Sequence, residues 1–231
     1  MTQLFHSELF IILLNVGIFS FAIWIIKTFN IKYLNGLLIS IPLVACCLHL
    51  FNIDMETYRE GSRILSFMLG PSVVAMGYLI HKNIKQIGKN IIPLILCIAV
   101  GAIVNSALLN LAFKFFDVNT NIIVSLHPKS VTTPIALELS SQLGGIPSLT
   151  ILSVVISGIL GSIIGVPILD LLKIKKPIAR GAALGAASHA IGTSRAIELG
   201  AFEGAVSGLV IGIMGFLTAL LIPYVHTLFL N

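Results

Sequence analysis

The stretch Leu126-His127-Pro128-Lys129-Ser130-Val131-Thr132-Thr133-Pro134 places polar and helix-breaking residues inside an otherwise apolar chain. Pro128 and Pro134 each remove a backbone donor and obstruct a regular helix. A lysine at membrane depth costs about 2.5–3.5 kcal/mol on insertion scales. Broken backbone is tolerated in a bilayer only where protein buries it or water reaches it. The stretch therefore predicts a binding or transport site that is built on a broken helix.

The rest of the chain has the composition of an integral membrane protein. Of its 231 residues, 57% are hydrophobic and 10% are charged, and the mean hydropathy is +1.04. A soluble domain carries about 25% charged residues, so this chain has too few charges for a surface that faces water. We predict a single integral membrane domain over residues 1–231, embedded in a lipid bilayer and built as an all-α polytopic fold.

Six apolar runs are long enough to cross a bilayer as helices, which takes about 20 residues. Two further segments, Asn121–Leu143 and Gly181–Gly200, have membrane length but are polar and are interrupted by Pro or Gly. The six predicted spans are Glu8–Ile26, Leu34–Phe51, Ile64–Ile80, Ile91–Phe113, Leu149–Leu169 and Ala205–Phe229.

The basic residues predict the orientation of the spans. Nine of the fourteen Lys and Arg residues lie in three short loops between apolar runs, which is the positive-inside pattern. With these loops cytoplasmic, the N-terminus lies outside and Asn121–Leu143 crosses either zero times or twice. We predict that this segment enters from outside and turns back near Pro128 or Pro134. Its counterpart Gly181–Gly200 would enter from inside, or else simply cross. The nine residues are Lys27, Lys32, Lys82, Lys85, Lys89, Lys173, Lys175, Lys176 and Arg180.

A short echo in the sequence predicts an internal repeat. Leu69–Val74 resembles Leu126–Val131, and each stretch is followed further on by an Ile-Pro pair. Repeats with interrupted segments in matching positions point to transporter sites. Glycines four residues apart, as at Gly204, Gly208 and Gly212, allow helices to pack closely. We expect this packing to be mainly within the chain, with a homo-oligomer as the alternative.

The first interrupted segment carries a candidate anion site. Lys129, Thr132 and Thr133 would share one face if their stretch is helical, and Ser130 lies beside them. A lysine with hydroxyl donors suits an anionic oxygen such as that of a carboxylate, and a helix beginning near Pro128 would add free N–H groups. The alternative is that Lys129 extends to the membrane interface while the threonines bond to their own backbone carbonyls. We favour the site, because this lysine stands between two prolines.

The second interrupted segment carries a matching set of polar residues. Ser188, Gly192 and Arg195 are spaced to share one helix face, and His189 lies next to Thr193 on such a helix. The set therefore predicts a second group of substrate contacts.

Two residues of this set have structural alternatives. Arg195 and Glu198 are three residues apart, so they can form an ion pair that neutralises both charges. His189 could relay protons, because histidine changes its charge near neutral pH; the alternative is a hydrogen-bonded core residue. We find no arrangement of nucleophile, base and acid, so we expect no enzyme, and we predict neither a metal nor a cofactor.

The two segments resemble the CidB/LrgB family. The resemblance rests on Leu126–Ala136, Gly144-Gly145-Ile146, Ala179-Arg180-Gly181, Gly185–Thr193 and Glu198–Ala205, and it extends from about Leu69 to Pro223. It implies two functions. Bacterial members are described as holin-like or antiholin-like regulators of murein hydrolases and lysis, acting with a small CidA/LrgA-type partner. Related proteins, including one of plant plastids, look like carriers of small carboxylates such as pyruvate, glycolate or glycerate.

The residue chemistry favours the carrier, because a holin-type pore needs no cation held at depth by broken helices. We predict a carrier of small monocarboxylates in the bacterial cell membrane, with proton coupling as an option and no nucleic-acid partner. Lys129 and Arg195 would contact the anion. The alternative is a holin-like or antiholin-like regulator that acts with a CidA/LrgA-type partner. The resemblance covers Lys129, Ser130, Thr132, Thr133, Ser188, His189, Gly192 and Thr193.

Overall fold

The computed structural model describes residues 7–30, 36–116 and 118–229, with only the backbone described at Val73 and at 225–229. Within these ranges every regular element is a helix, which confirms the all-α fold class. The chain separates into two compact units, Met1–Met76 and Gly77–Asn231. A single membrane domain over residues 1–231 stays a prediction.

The first unit contains helices held together by aromatic and amide contacts. The rings of Phe10 and Phe51 meet edge-on with centroids 5.8 Å apart, and the Tyr58 hydroxyl donates to Asn15 Oδ1 at 2.8 Å. Such hydrogen bonds between helices satisfy polar groups, for which lipid tails offer no hydrogen-bond partner. The helices are α1 (Glu8–Thr28), α2 (Gly36–Leu50), α3 (Met55–Gly61), α4 (Arg63–Phe67) and α5 (Leu69–Lys82), the last of which continues into the second unit.

The second unit holds the two interrupted segments. A 3-10 turn at His127–Ser130 separates α8 from α9. The fully buried side chains of the unit include Val154, Val206 and Val210, which belong to one core cluster. The helices are α6 (Ile84–Gly88), α7 (Ile91–Phe116), α8 (Thr120–Leu126), α9 (Thr133–Gln142), α10 (Pro147–Leu171), α11 (Pro177–Leu199) and α12 (Ala201–Phe229).

Within the described residues, five helical stretches are long and apolar enough to cross a membrane, and a bent pair makes up to six. Their large apolar side chains are widely exposed, as at Trp24 (57%) and Leu111 (66%), which is expected of surfaces that face lipid. The chain is therefore a multi-pass membrane protein. The second predicted span differs from the structure: α2 has 15 residues and bends by 120° into α3. Leu34 and Asn35 of that predicted span, and Lys32 of the basic loop before it, lie outside the described residues.

The first interrupted segment forms a hairpin, Thr120–Gln142, that is broken after the 3-10 turn. Val131 and Thr132 are extended, with ψ of 176° and 148°, before α9 begins at Thr133. The arms α8 and α9 have 7 and 10 residues, hence lengths of about 10 and 15 Å. Since the apolar core of a bilayer is about 30 Å thick, neither arm can cross it.

Both arms of this first hairpin lie against the start of α10. Ser125 Oγ accepts a hydrogen bond from the backbone N–H of Ile146 at 2.7 Å. Ser140 Oγ and Thr150 Oγ1 share another at 2.7 Å. The segment therefore enters and leaves at the same end of α10, which is the re-entrant form that the charge count predicts.

The second interrupted segment, α11, also turns back on itself. Its backbone leaves the helical region at Ser188 (φ −135°, ψ 15°) and His189 (φ 41°, ψ −131°). Beyond this break, Gly192 packs on the carbonyl oxygen of Leu184. We call residues 177–187 and 190–199 the first and second arms of the second hairpin.

Packing on α12 shows that these two arms run in opposite directions. Gly181 approaches the backbone of Glu203 and Gly185 that of Ser207, so the first arm is parallel to α12. Ile197 approaches Gly204, whereas Thr193, nearer the break, reaches Ser207, so the second arm is antiparallel to α12. The segment is therefore a hairpin and does not simply cross. The pairs are Gly181–Glu203, Gly185–Ser207, Ile197–Gly204 and Thr193–Ser207.

The two hairpins enter from opposite ends of α10 and meet near its middle. The first contacts the start of α10, whereas the second places Leu184 against Gly165 and His189 against Gly158. The 3-10 turn of the first hairpin also lies against α11 and α12. A long helix followed by a hairpin thus occurs twice, at residues 91–142 and 147–199, with the two hairpins in opposite orientations. This is the arrangement of inverted-repeat transporters.

The sequence echo between Leu69–Val74 and Leu126–Val131 does not correspond to this structural repeat. Pro71 lies in the first turn of α5, a helix that continues to Lys82, whereas Pro128 lies in a 3-10 turn before a break. The two stretches therefore adopt different structures. The structural repeat begins instead at α7 and α10.

Candidate functional site

Lys129 lies in the 3-10 turn at the tip of the first hairpin and is half-buried. Its Nζ donates a hydrogen bond to Asn105 Oδ1 on α7. The ion pairs within the described residues are Arg180–Asp170 and Arg195–Glu198, so no carboxylate of this part of the chain pairs with Lys129. A cation at this depth is costly without an opposite charge, and an anionic ligand would lower that cost.

A narrow cavity lies beside this turn, between α7, the first hairpin and α12. Its polar lining is Asn105 and Ser106 of α7, His127 and Ser130 of the turn, and Thr218 of α12. Ser106 is 8% exposed, and its hydroxyl has no hydrogen-bond partner within the described residues. Buried polar atoms are normally satisfied, so this hydroxyl is available to a ligand oxygen or a water.

The polar face of α7 was missed by the sequence analysis. Asn105 holds Lys129, Ser106 lines the cavity, and both amide atoms of Asn110 are buried without a partner within the described residues. A signal for this face is present in the sequence, because two asparagines inside an apolar span are unusual and mark polar helix contacts.

The threonines of the first hairpin are not placed as predicted. The α-helix begins at Thr133 and not near Pro128, so Lys129, Thr132 and Thr133 do not share one helix face. Pro134 fits the first turn of α9, because the N–H group it lacks has no partner within the helix there. Thr132 and Thr133 are half-buried at the break, and their part in substrate binding stays a prediction.

His189 forms the tip of the second hairpin and is 4% exposed. Its Nε2–H donates to the carbonyl oxygen of Val154 at 2.9 Å, which fixes the ring against α10. Thr193 Oγ1 donates to the carbonyl oxygen of His189 at 3.0 Å and shares a bond of 2.7 Å with Ser207 Oγ. These contacts support the core-residue alternative for His189, and the proton relay stays a prediction. Ser207 was not singled out in the sequence.

Ser188 and Gly192 pack closely around the break. The Ser188 hydroxyl is fully buried against Gly161, without a partner within the described residues. A side chain at position 192 would collide with the carbonyl oxygen of Leu184 and with Ser188 Cβ, so glycine is required there for close packing. Because the helix breaks at Ser188, the predicted common helix face of Ser188, Gly192 and Arg195 is not present.

Arg195 donates a hydrogen bond to Glu198 Oε2, so the structure contains the expected ion pair. The side chain of Arg195 is 11% exposed and that of Glu198 45%, so the pair reaches from a buried position towards the surface. Arg195 lies six residues beyond His189, which is about 9 Å along the second arm. Its role as an anion contact stays a prediction.

The polar groups at the two tips are of the kinds that can bind a small anion. The tips offer an ammonium group, hydroxyls and an imidazole, and α7 adds amides, all of which suit a small oxyanion. No group of three or more His, Cys, Asp or Glu residues in the described part of the chain could hold a metal ion.

Comparison with known proteins places these features in a family context. The model of the LrgB-like family matches residues 15–228. The chain is 33% identical to YxaC of Bacillus subtilis over 219 residues, which is 95% of either chain. It is 31% identical to the holin-like protein CidB of Staphylococcus aureus over 96% of this chain and 97% of that protein. The holin-like protein CidB of Staphylococcus epidermidis is also 31% identical, over 94% of this chain and 95% of that protein. No solved structure matches the chain.

Proposed function

This chain belongs to the LrgB-like family, and on that premise we propose that it is a holin-like regulator of murein hydrolase activity and lysis in the bacterial cell membrane. It would act with a small CidA/LrgA-type membrane protein. The observation that carries the proposal is the likeness to holin-like CidB proteins along nearly the whole chain. This likeness supports the holin-like regulator, the alternative function predicted from the sequence, better than it supports the carrier.

The lipid-facing surface suits assembly with another membrane protein. Helix association in lipid relies on small residues that let backbones approach. Gly17 on α1 and Gly77 on α5 are exposed, and a Cβ at either position would meet no other atom within 4 Å. These helices therefore offer close approach to a partner helix.

The holin-like function can be tested by co-expression with a CidA/LrgA-type partner in a bacterial host that lacks its own pair. We expect the pair to change both dye entry into the cells and murein hydrolase activity in the culture fluid, relative to the partner alone. Lys129→Ala should leave both changes in place, because assembly through helix surfaces needs no cation at the hairpin tip. Unchanged dye entry and hydrolase activity would argue against the regulator.

The carrier of small monocarboxylates is a second candidate, and one specific observation favours it. Two hairpins enter from opposite ends of α10, and the tip of the first holds Lys129 without a protein carboxylate within the described residues. Binding sites of inverted-repeat carriers lie where discontinuous helices meet near the bilayer midplane. Asn105 and Ser106 would join Lys129 and Ser130 in contacting the substrate carboxylate.

Uptake of labelled pyruvate, glycolate or lactate into proteoliposomes tests the carrier. Lys129→Ala should lower uptake by about 10- to 100-fold, since a hydrogen bond to a charged group contributes about 1.5–3 kcal/mol. Lys114→Ala is the matched control, because Lys114 is exposed at the end of α7 and should leave uptake unchanged. Absence of uptake for every acid, with and without a partner protein, would eliminate this candidate.

A further inference from the structure

An apolar groove lies between α7 and the first arm of the second hairpin, and it runs from Asn90 and Lys176 towards Gly101 and Ala186. It has a volume of about 470 Å³, which lies within the range of about 300–1,000 Å³ that holds small molecules in proteins. Small side chains open the groove on both sides. Its floor and walls include Cys97, Gly101, Ala179, Ala182, Ala183 and Ala186.

The groove has the length of one leaflet of a bilayer. Along α7 its lining runs from Asn90 to Gly101, and along the hairpin from Lys176 to Ala186. At 1.5 Å per residue these stretches measure about 15–17 Å. Half of an apolar core of about 30 Å is about 15 Å. A membrane helix of a partner would need twice this length, whereas one acyl chain fits it.

One end of the groove is basic and the other is apolar. Asn90 and Lys176 stand at the end where α7 and α11 both begin. The side chain of Lys176 does not cap α11, so free N–H groups of its first turn add positive partial charge. Residues 82–90 and 172–180 flank this end with seven Lys and Arg residues, of which Arg180 is paired with Asp170.

We propose that this groove binds an anionic phospholipid, with one acyl chain between α7 and the first arm and the phosphate at Lys176. Basic pockets between helices on the cytoplasmic side are where anionic headgroups bind. Lys176 lies at the headgroup end and the opposite end is lined by the small residues Gly101 and Ala186, so the groove matches an amphiphile in both polarity and length. The lipid site is independent of both proposed functions.

Native mass spectrometry of the detergent-purified protein tests the site by titration with phosphatidylglycerol and with phosphatidylcholine of the same acyl chains. We expect the unaltered chain to bind phosphatidylglycerol more tightly than phosphatidylcholine. This comparison does not depend on the folding of any variant. Lys176→Gln should weaken phosphatidylglycerol binding about fivefold, which corresponds to about 1 kcal/mol for one lysine beside an anionic headgroup. Gly101→Leu should fill the groove and weaken the binding of both lipids.

Matched controls exist for both variants. Lys173→Gln removes a lysine of the same basic loop that does not line the groove, and Gly212→Leu enlarges an exposed glycine on another helix with equally open space. Both should bind lipid like the unaltered chain. Equal affinity for the two lipids, or unchanged binding in Gly101→Leu, would overturn the proposal. Competition by glycerol phosphate alone would show a phosphate site instead, and a dimer displaced by lipid would show a second copy as the occupant.

Discussion

At the scale of single residues, the second hairpin depends on the backbone of His189. Its φ of 41° and ψ of −131° are close to the first central position of a type II′ turn, which normally needs glycine. A residue with a Cβ is strained there by about 1–3 kcal/mol. The bond from the ring to Val154 is one compensation for this strain. The His189 side chain therefore occupies a position where the backbone alone would favour glycine.

Comparison of His189→Gly with His189→Ala tests this strain. Both variants lose the bond to Val154, but glycine also relieves the backbone, so His189→Gly should be more stable by about 1 kcal/mol. The free energy of unfolding in mixed micelles measures the difference. Ala190→Gly is the control, because that residue is helical and glycine there should destabilise by about 0.5–1 kcal/mol. A His189→Gly variant less stable than His189→Ala would contradict the strain.

At the scale of elements, hydroxyl groups hold the first hairpin to α10. Ser125 satisfies the backbone N–H of Ile146 at the start of α10, and Ser140 on α9 pairs with Thr150. The side chains of Ser125, Ser140 and Thr150 are all buried. Polar contacts between membrane helices are expected to be shielded from lipid in this way. The arms are too short to be stable by themselves, so these contacts and the packing around them define the hairpin.

A double-mutant cycle on Ser140→Ala and Thr150→Val measures one of these contacts. We expect a coupling of about 0.6 kcal/mol in the free energy of unfolding, the average for side-chain hydrogen bonds between membrane helices. Pairing Ser140→Ala with Ser162→Ala gives the control, since Ser162, which lies twelve residues beyond Thr150, donates to the carbonyl oxygen of Ile159 in its own helix and to no other residue that the structure describes. Equal couplings in the two cycles would show that the hydroxyl pair does not hold the arm.

At the scale of the whole molecule, the opposed hairpins predict which residues label from each side of the membrane. Starting from a chain with Cys46, Cys47 and Cys97 replaced by alanine, single cysteines can be placed at both ends of each hairpin. Thr120→Cys and Ser141→Cys should react with an impermeant thiol reagent in intact cells, because the basic loops predict that both ends of the first hairpin face outside. Leu172→Cys and Ala201→Cys should react only after the cells are opened.

Each pair of cysteines is its own control, because a segment that crosses the membrane would separate its two ends. Different labelling of Thr120→Cys and Ser141→Cys would show that the first segment crosses. Labelling of all four in intact cells would contradict the predicted orientation but not the hairpins.

The sequence predicts most of the membrane fold and part of the site. Runs of apolar residues locate the spans, and the basic loops require an even number of crossings between Lys89 and Lys173. The prolines of Leu126–Pro134 locate the first break, although the helix begins at Thr133 and not at Pro128. The break at Ser188 and His189 contains no proline, so its position was not predictable from the sequence.

The sequence by itself determined an all-helical membrane chain with two interrupted segments and a lysine in the first. These are properties of composition and local backbone, since lipid cannot satisfy exposed peptide groups or balance a charge. Only the tertiary structure decided what surrounds them: Asn105 beside Lys129, Val154 beside His189, and the meeting of the tips at the middle of α10. These contacts join residues far apart in the chain, and close packing between helices, which no local pattern encodes, selects them.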